Sequence, residues 1–264
     1  MFYKMKYTCN IRQEYPIRLF SNDNYNSVAK DVQLMLLPLN LMQYIMFCPK
    51  YCIKNNLISQ NSNMSNFVSV IGTLAFISLF IYRTYRQCFL GECLDCNSFL
   101  YASIYFDGVF YCVLFIMNFS IGVIYTKKSV KFVLTFQKVH RFLNNETSFN
   151  NLIIWNWVIV IVFLCGYVSL FTFYSTRQNA LPYTTLCLNV LISFDLNVIY
   201  ASRVIKMLES KVVLWNINAC CTQEMECMYK ENFGIKMFQA YVDILECYDI
   251  YKVCFQHYVS TEYV

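Results

Sequence analysis

Apolar residues in this chain gather into long runs instead of alternating with polar ones. Four runs stand out: Asn66 to Tyr82, Phe99 to Tyr125, Leu152 to Tyr174 and Ala180 to Ala201. A helix needs about 20 residues to cross a hydrocarbon layer, and each run is close to that or longer. The third, LIIWNWVIVIVFLCGYVSLFTFY, carries no charge, and the second and fourth carry one acid each, Asp107 and Asp195. Lipid offers no water to backbone N–H and C=O groups, so each run predicts a transmembrane helix. A further greasy stretch, Gln33 to Ile53, is interrupted by Pro38, Asn40 and Pro49. It reads as an interfacial or re-entrant helix, not a full crossing.

The expected fold class is therefore all-α, a polytopic membrane protein. Residues 1–65 form a cytoplasmic amino-terminal segment with the interfacial helix, 66–201 a four-helix transmembrane bundle, and 202–264 a cytoplasmic helical segment. Composition agrees: 58% of residues are hydrophobic and 14% charged, against roughly 25% charged in soluble domains. The amino end, MFYKMKYTCNIRQEYPIRLF, has scattered charges and no apolar core, so it does not read as a cleavable signal. Residues Ser21 to Ala29 read as a polar loop.

Charge sets the orientation, because cytoplasmic segments near spans are enriched in Lys and Arg. The five segments flanking the four runs hold 7, 2, 5, 1 and 6 such residues, so alternate segments divide 18 against 3. Both ends are thereby placed in the cytoplasm. Were Gln33 to Ile53 a span, the division would be 8 against 13, a weaker bias of opposite sign.

Intramembrane polar residues are by default paired or functional. Counted inward from the cytoplasmic ends, Thr73, Asn118, Trp157 and Asp195 fall in one layer about 8 to 11 Å deep at 1.5 Å per residue. The hydroxyl, amide and indole can donate to a carboxylate, so Asp195 is expected to meet Asn118, with Trp157 or Thr73 as second partner. Asp107 has Ser103 and Tyr111 four residues to either side. The outer half also holds Tyr101, Tyr105, Tyr167, Phe171, Tyr174 and Tyr183, which make either an interfacial aromatic belt or, with Asp107, a small-molecule pocket.

Cys88, Cys93 and Cys96 share a C-x4-C-x2-C spacing. An iron–sulfur cluster would need a fourth thiolate, and the predicted outer side is oxidising, so one disulfide among the three is the reading, with three free thiols as the alternative. Cys220, Cys221, Cys227, Cys247 and Cys254 fall on the reducing side, where Cys220 and Cys221 are candidate palmitoylation sites. The two histidines, His140 and His257, form no metal-binding pair, and no nucleophile elbow or phosphate loop is present. No enzyme activity, cofactor or metal is expected, and His140 reads as a polar loop residue. In the tail, Met237, Tyr241, Ile244, Tyr248, Tyr251 and Phe255 recur at helical spacing opposite Asp243, Glu246 and Asp249. This predicts an amphipathic helix that packs on another helix, of the same chain or another copy, with a simple interfacial helix as the alternative.

The block DVQLMLLPLNLMQYIMFCPKYCIKNNLISQNS (Asp31 to Ser62) and the tail MFQAYVDILECYDIYKVCFQ (Met237 to Gln256) resemble insect gustatory receptors, particularly the bitter-type receptors of moths and butterflies. The resemblance implies a seven-span, ligand-gated cation channel subunit that forms homo- or hetero-tetramers in the plasma membrane. It implies a small-molecule tastant as partner besides the lipid bilayer, and no nucleic acid. The family's Thr-Tyr-x5-Gln-Phe motif is absent and the chain stops at Val264, so it corresponds to the first four spans and by resemblance should not conduct alone. A complete four-span scaffold or assembly protein is the alternative. Tetraspanins fit poorly, since their large outer loop lies where this chain has about five residues.

Two sequons, Asn63-Met64-Ser65 and Asn145-Glu146-Thr147, lie on the side that the charge bias calls cytoplasmic. Chain expressed in eukaryotic cells should show no mobility shift on endoglycosidase treatment; glycan on either asparagine would reverse the orientation.

Overall fold

The computed structural model describes residues 26–89, 98–143, 146–177, 182–221 and 227–260, excluding the side chains at 87–89, 98, 100, 101, 104, 146–149, 174, 177, 182–194, 221, 227–232 and 256–260. Within them are seven helices and a two-stranded hairpin: α1 (Lys30–Ile45), β1 (Cys52–Lys54), β2 (Leu57–Ser59), α2 (Asn63–Phe89), α3 (Ser98–Ile124), α4 (Thr126–Phe142), α5 (Glu146–Arg177), α6 (Pro182–Cys221) and α7 (Cys227–Ser260). The chain is an all-α membrane protein.

Three stretches among the described residues are long and apolar enough to cross a bilayer: Asn63–Arg86, Tyr105–Ile124 and Asn150–Phe173. Only 11% of the last is buried within the protein. Ile154, Trp155, Ile161, Val162 and Val168 all point outward. Such continuous apolar exposure requires lipid as the solvent.

Helix α1 is 16 residues long, about 24 Å at the α-helical rise, and so too short for a ~30 Å hydrocarbon layer. Val32, Met35, Leu36, Leu39 and Met42 form a fully buried stripe at three- and four-residue spacing. Leu34, Leu37, Leu41 and Tyr44 stay exposed on the other side. The helix is thus apolar nearly all round, with its buried face packed chiefly on α5 and also touching α6.

After α1 the chain turns at Phe47 (φ 57°) and forms the hairpin, whose register pairs Cys52 with Ser59, Ile53 with Ile58 and Lys54 with Leu57. Its turn residues Asn55 and Asn56 both have positive φ (53° and 62°), as a two-residue I′ turn requires. Asn tolerates this region better than most residues. The sequence reading placed no strand here, because an Asn-Asn pair is a weaker turn signal than Asn-Gly and three-residue strands carry no usable periodicity.

The segment between the second and third spans, which the sequence reading left as a loop, forms helix α4. It follows α3 after the single residue Tyr125. Its buried face of Phe132, Val133, Phe136, Val139 and His140 packs mainly on α7. The tail thereby finds its partner helix within the same chain. Helix α7 buries Met237, Ile244 and Phe255 as expected, along with Ala240, Cys247 and Cys254, and leaves Tyr241 and Tyr248 exposed. Helix α6 runs unbroken for 40 residues, so the boundary expected at residue 201 falls inside one continuous helix.

Helices α2 and α3 pack tightly through Phe76, Phe80, Tyr111 and Phe115. The turn after α1 rests on α2 at Gly72, where an added Cβ would lie 2.9 Å from the Cβ of Phe47. Phe47 cannot rotate out of that contact, because the clash is with its Cβ and not its ring tip. Replacing Gly72 by Val should destabilise the fold by about 2 kcal/mol through overpacking, read as a lowered midpoint in thermal unfolding in detergent; an unchanged midpoint would mean that the turn is not seated there.

Candidate functional site

The outer pocket expected from sequence is shown only in pieces. The side chains of Tyr101, Tyr174 and Tyr183 lie outside the described residues. On α3, Tyr105 and Asp107 are exposed; on α5, Phe171 is exposed and Tyr167 is half-buried against the main core. Helix α3 packs chiefly on α2, and α5 chiefly on α1 and α6. The described α3 and α5 members therefore sit on different helix pairs. Tyr111, one helical turn after Asp107, instead has charged groups of three helices within electrostatic range of its hydroxyl: Asp107, Arg83 of α2 and Asp195 of α6. The Arg83 Nε–H is buried without a partner among the described residues. Where α2 and α3 meet beside this cluster, a Cβ on Gly108 would come within 2.6 Å of the Thr84 hydroxyl, so the helices touch almost backbone to side chain. Two carboxylates, a guanidinium and a phenol at one helix junction offer both signs of charge and several donors to a small polar ligand.

Of the inner polar layer expected from sequence, only Asn118 is found in a hydrogen bond between helices among the described residues. Asn118 is buried as expected, and its carbonyl oxygen accepts from Asn197 Nδ2 at 3.1 Å. Asn197, not Asp195, is the member on α6; Asp195 is exposed and has no hydrogen bond among the described residues. Two positions along a helix rotate a side chain by about 200°, which is why the neighbour reaches the interior and the acid does not. Gln43 of α1 approaches the Asn197 oxygen at 3.5 Å, and Asn118 Nδ2 approaches the Cys48 sulfur at 3.5 Å. Thr73 donates to the Ser69 carbonyl of its own helix at 2.8 Å and so leaves the layer. On α5 the interior position belongs to Asn156, which is fully buried, and not to Trp157. Asn156 donates to the Met35 carbonyl at 2.9 Å and accepts from Arg203 Nε at 2.7 Å.

A third polar group lies outside the spans, and sequence reasoning missed it. His140, read as a loop residue, is 1% exposed, and Lys211 of α6 is 2% exposed. Lys211 Nζ sits 2.7 Å from His140 Nδ1, and His140 Nε2 sits 3.0 Å from Asp31 Oδ2 in the first turn of α1. An ammonium only donates, so Nδ1 accepts and Nε2 carries the proton given to Asp31. Lys211 also reaches the Leu143 carbonyl at 3.4 Å, and the His140 ring stacks on Phe136. One turn earlier, Gln137 donates to the Ser27 carbonyl at 2.9 Å and accepts from the Ala29 N–H at 2.7 Å. Together these bonds clamp the start of α1 to α4 and α6. Lys211 and His140 carry no isolated sequence signal, because a lysine ten residues past a span normally reads as solvated. Asn156 and Asn197 could have been found by the signal that singled out Asn118, an amide inside an apolar run.

Among the described cysteines, Cys48, Cys52, Cys112, Cys165, Cys220, Cys247 and Cys254 are free thiols. The side chains of Cys88, Cys93 and Cys96, the candidate disulfide residues, lie outside the described residues, as do those of Cys221 and Cys227. Cys220 is exposed, while Cys247 and Cys254 are buried. No family model, curated protein or solved structure matches this chain.

Burial, with Lys211 adjacent, pulls His140 down to about 4 against the opposing effect of Asp31. Burial likewise lowers Lys211 to about 8. Both are bases that the fold prefers neutral, so the unfolded chain binds more protons and stability rises with pH through each window. Acidification from pH 6.5 to 4 should cost about 3 kcal/mol at most through His140. Chemical unfolding of the wild type and His140→Gln over that range should show a shallower slope for the variant; equal slopes would mean that His140 is not buried neutral.

Proposed function

We propose that this chain is part of a chemoreceptor subunit of the insect gustatory type, which detects small molecules of the bitter class and belongs to a ligand-gated cation channel. In this reading it sits in the plasma membrane with its amino end cytoplasmic. It crosses four times, the amino-terminal half of α6 (Pro182–Cys221) adding the fourth crossing to the three apolar helices. The charge bias of 18 against 3 supports this orientation.

The observation that carries the proposal is the continuity of α6. Forty residues at 1.5 Å each span about 60 Å. In its first half Asp195 lies, like Asp107 and Arg83, within electrostatic range of Tyr111, a first charged cluster, and further on Lys211 enters the clamp with His140 and Asp31. A ligand bound at the first cluster has one rigid element through which to move the α4 and α7 pair that packs on the second. In the receptor reading the tastant is polar enough to address Asp107, with Tyr111 of the same helix as its aromatic neighbour. Subunits assemble as tetramers.

The test is functional expression of the open reading frame continued through its downstream transcript, with calcium imaging against a panel of bitter small molecules. A concentration-dependent influx, shifted at least tenfold to higher concentration by Asp107→Ala, supports the reading. A stop codon directly after Val264 in independent transcripts, with no response to any compound, would favour a four-span scaffold.

A further inference from the structure

Lys50 follows the last turn of α1 by five residues and is 5% exposed. Its ammonium lies over two rings that stack on each other, 5.2 Å from the Tyr200 centroid and 5.1 Å from the Phe255 centroid. Such contacts partly replace hydration, but they bring no negative charge. Among the described residues, Lys50 has no carboxylate and no hydrogen-bond acceptor. The acid that α7 turns toward α4, Glu246, is already taken by Lys131 at 2.5 Å and Thr135 at 3.4 Å. The two thiols near Lys50 are poor counterions, since burial raises Cys48 to about 11 and also raises Cys254. Burial lowers Lys50 to about 8, which still leaves it mostly protonated at pH 7. The site is a buried cation that lacks an anion.

The same ammonium lines a recess between α4, α6 and α7, with Ser129 and Cys254 among the other walls. Its inner chamber has room for about one oxygen-sized atom. Lys128 is exposed, holds its ammonium 5.0 Å from the Tyr125 ring, and lies within electrostatic range of Cys254 in the recess wall. The depth of the site is fixed by α3: the candidate span ends at Ile124, and Lys128 and Ser129 follow within about one and a half helical turns. That places the recess at the level of lipid headgroups and not in hydrocarbon.

We propose that this recess binds a phosphate group at the membrane surface, with one oxygen inserted toward Lys50 and Lys128 as the outer cation. The expected source is an anionic phospholipid headgroup, whose phosphate sits at this depth; a free phosphate has the same chemistry. The proposal is independent of the receptor reading, since it needs only the end of the span and the buried lysine.

The test uses the full chain in neutral detergent micelles, with thermal unfolding followed by intrinsic fluorescence. Doping the micelles with phosphatidic acid should raise the midpoint by several degrees in a saturable way, while phosphatidylcholine should not. Lys50→Met should abolish the shift and Lys128→Gln should at least halve it, while Lys236→Gln, an exposed site on α7, should leave it unchanged. Inorganic phosphate with no lipid, if it gives the full shift, identifies the soluble ion as the source; if it gives none, the headgroup is the source. An equal shift from phosphatidylcholine, or one of full size in both Lys50→Met and Lys128→Gln, would overturn the proposal. Should Lys50→Met not fold, Lys128→Gln decides, because its side chain lies outside the core.

Discussion

A short helix that cannot cross the membrane is held by polar contacts to four longer ones, and much of the arrangement follows from that. Helix α1 has apolar residues on nearly every side, so burial alone would leave its rotation poorly fixed. Rotation is set instead by Asn156 on the Met35 carbonyl, by Gln43 and Cys48 in the amide layer, and by the Asp31, His140 and Lys211 clamp at its start. Pro38 removes one N–H from the helix interior and loosens the turn before it. The Met35 carbonyl that accepts from Asn156 lies in that turn. Each of these partners comes from a different part of the chain, so the contacts form only when α3, α4, α5 and α6 are all in place.

The two ends of the molecule obey different solvents. In the spans, apolar side chains face outward and amides face inward, because lipid solvates the former and cannot satisfy the latter. Beyond the spans, α4, α6 and α7 bury Val139, Leu143, Met237 and Ile244 in an ordinary interior packed by the hydrophobic effect. Lys211 and His140 sit beneath that interior, where each costs less as the neutral base. Helix α6 contributes to both, with Asn197 in the amide pairing and Leu214 and Trp215 packed against this interior.

Amides in a membrane protein specify geometry more than they add stability. An interhelical hydrogen bond in lipid contributes about 1 kcal/mol or less, since the separated helices also find partners. Its directional requirement is what excludes wrong rotations. The chain from Gln43 through Asn197 to Asn118 therefore acts as a register between α1, α6 and α3.

The sequence by itself determined that the chain lives in a membrane and that it is helical. Those properties are sums over many residues, and the lengths and compositions of the runs carry them. The amphipathic tail was legible for the same reason, since a repeated spacing survives the loss of any one position. Helical phase was not legible. Asn197 instead of Asp195, and Asn156 instead of Trp157, are shifts of two positions and one, which no hydropathy pattern resolves but which turn a side chain from lipid to interior. Tertiary structure alone decided that His140 lies buried between Asp31 and Lys211, and that the Lys50 ammonium lies over the Tyr200 and Phe255 rings. Each depends on residues 60 or more positions apart meeting in space, and a linear pattern holds no record of such meetings.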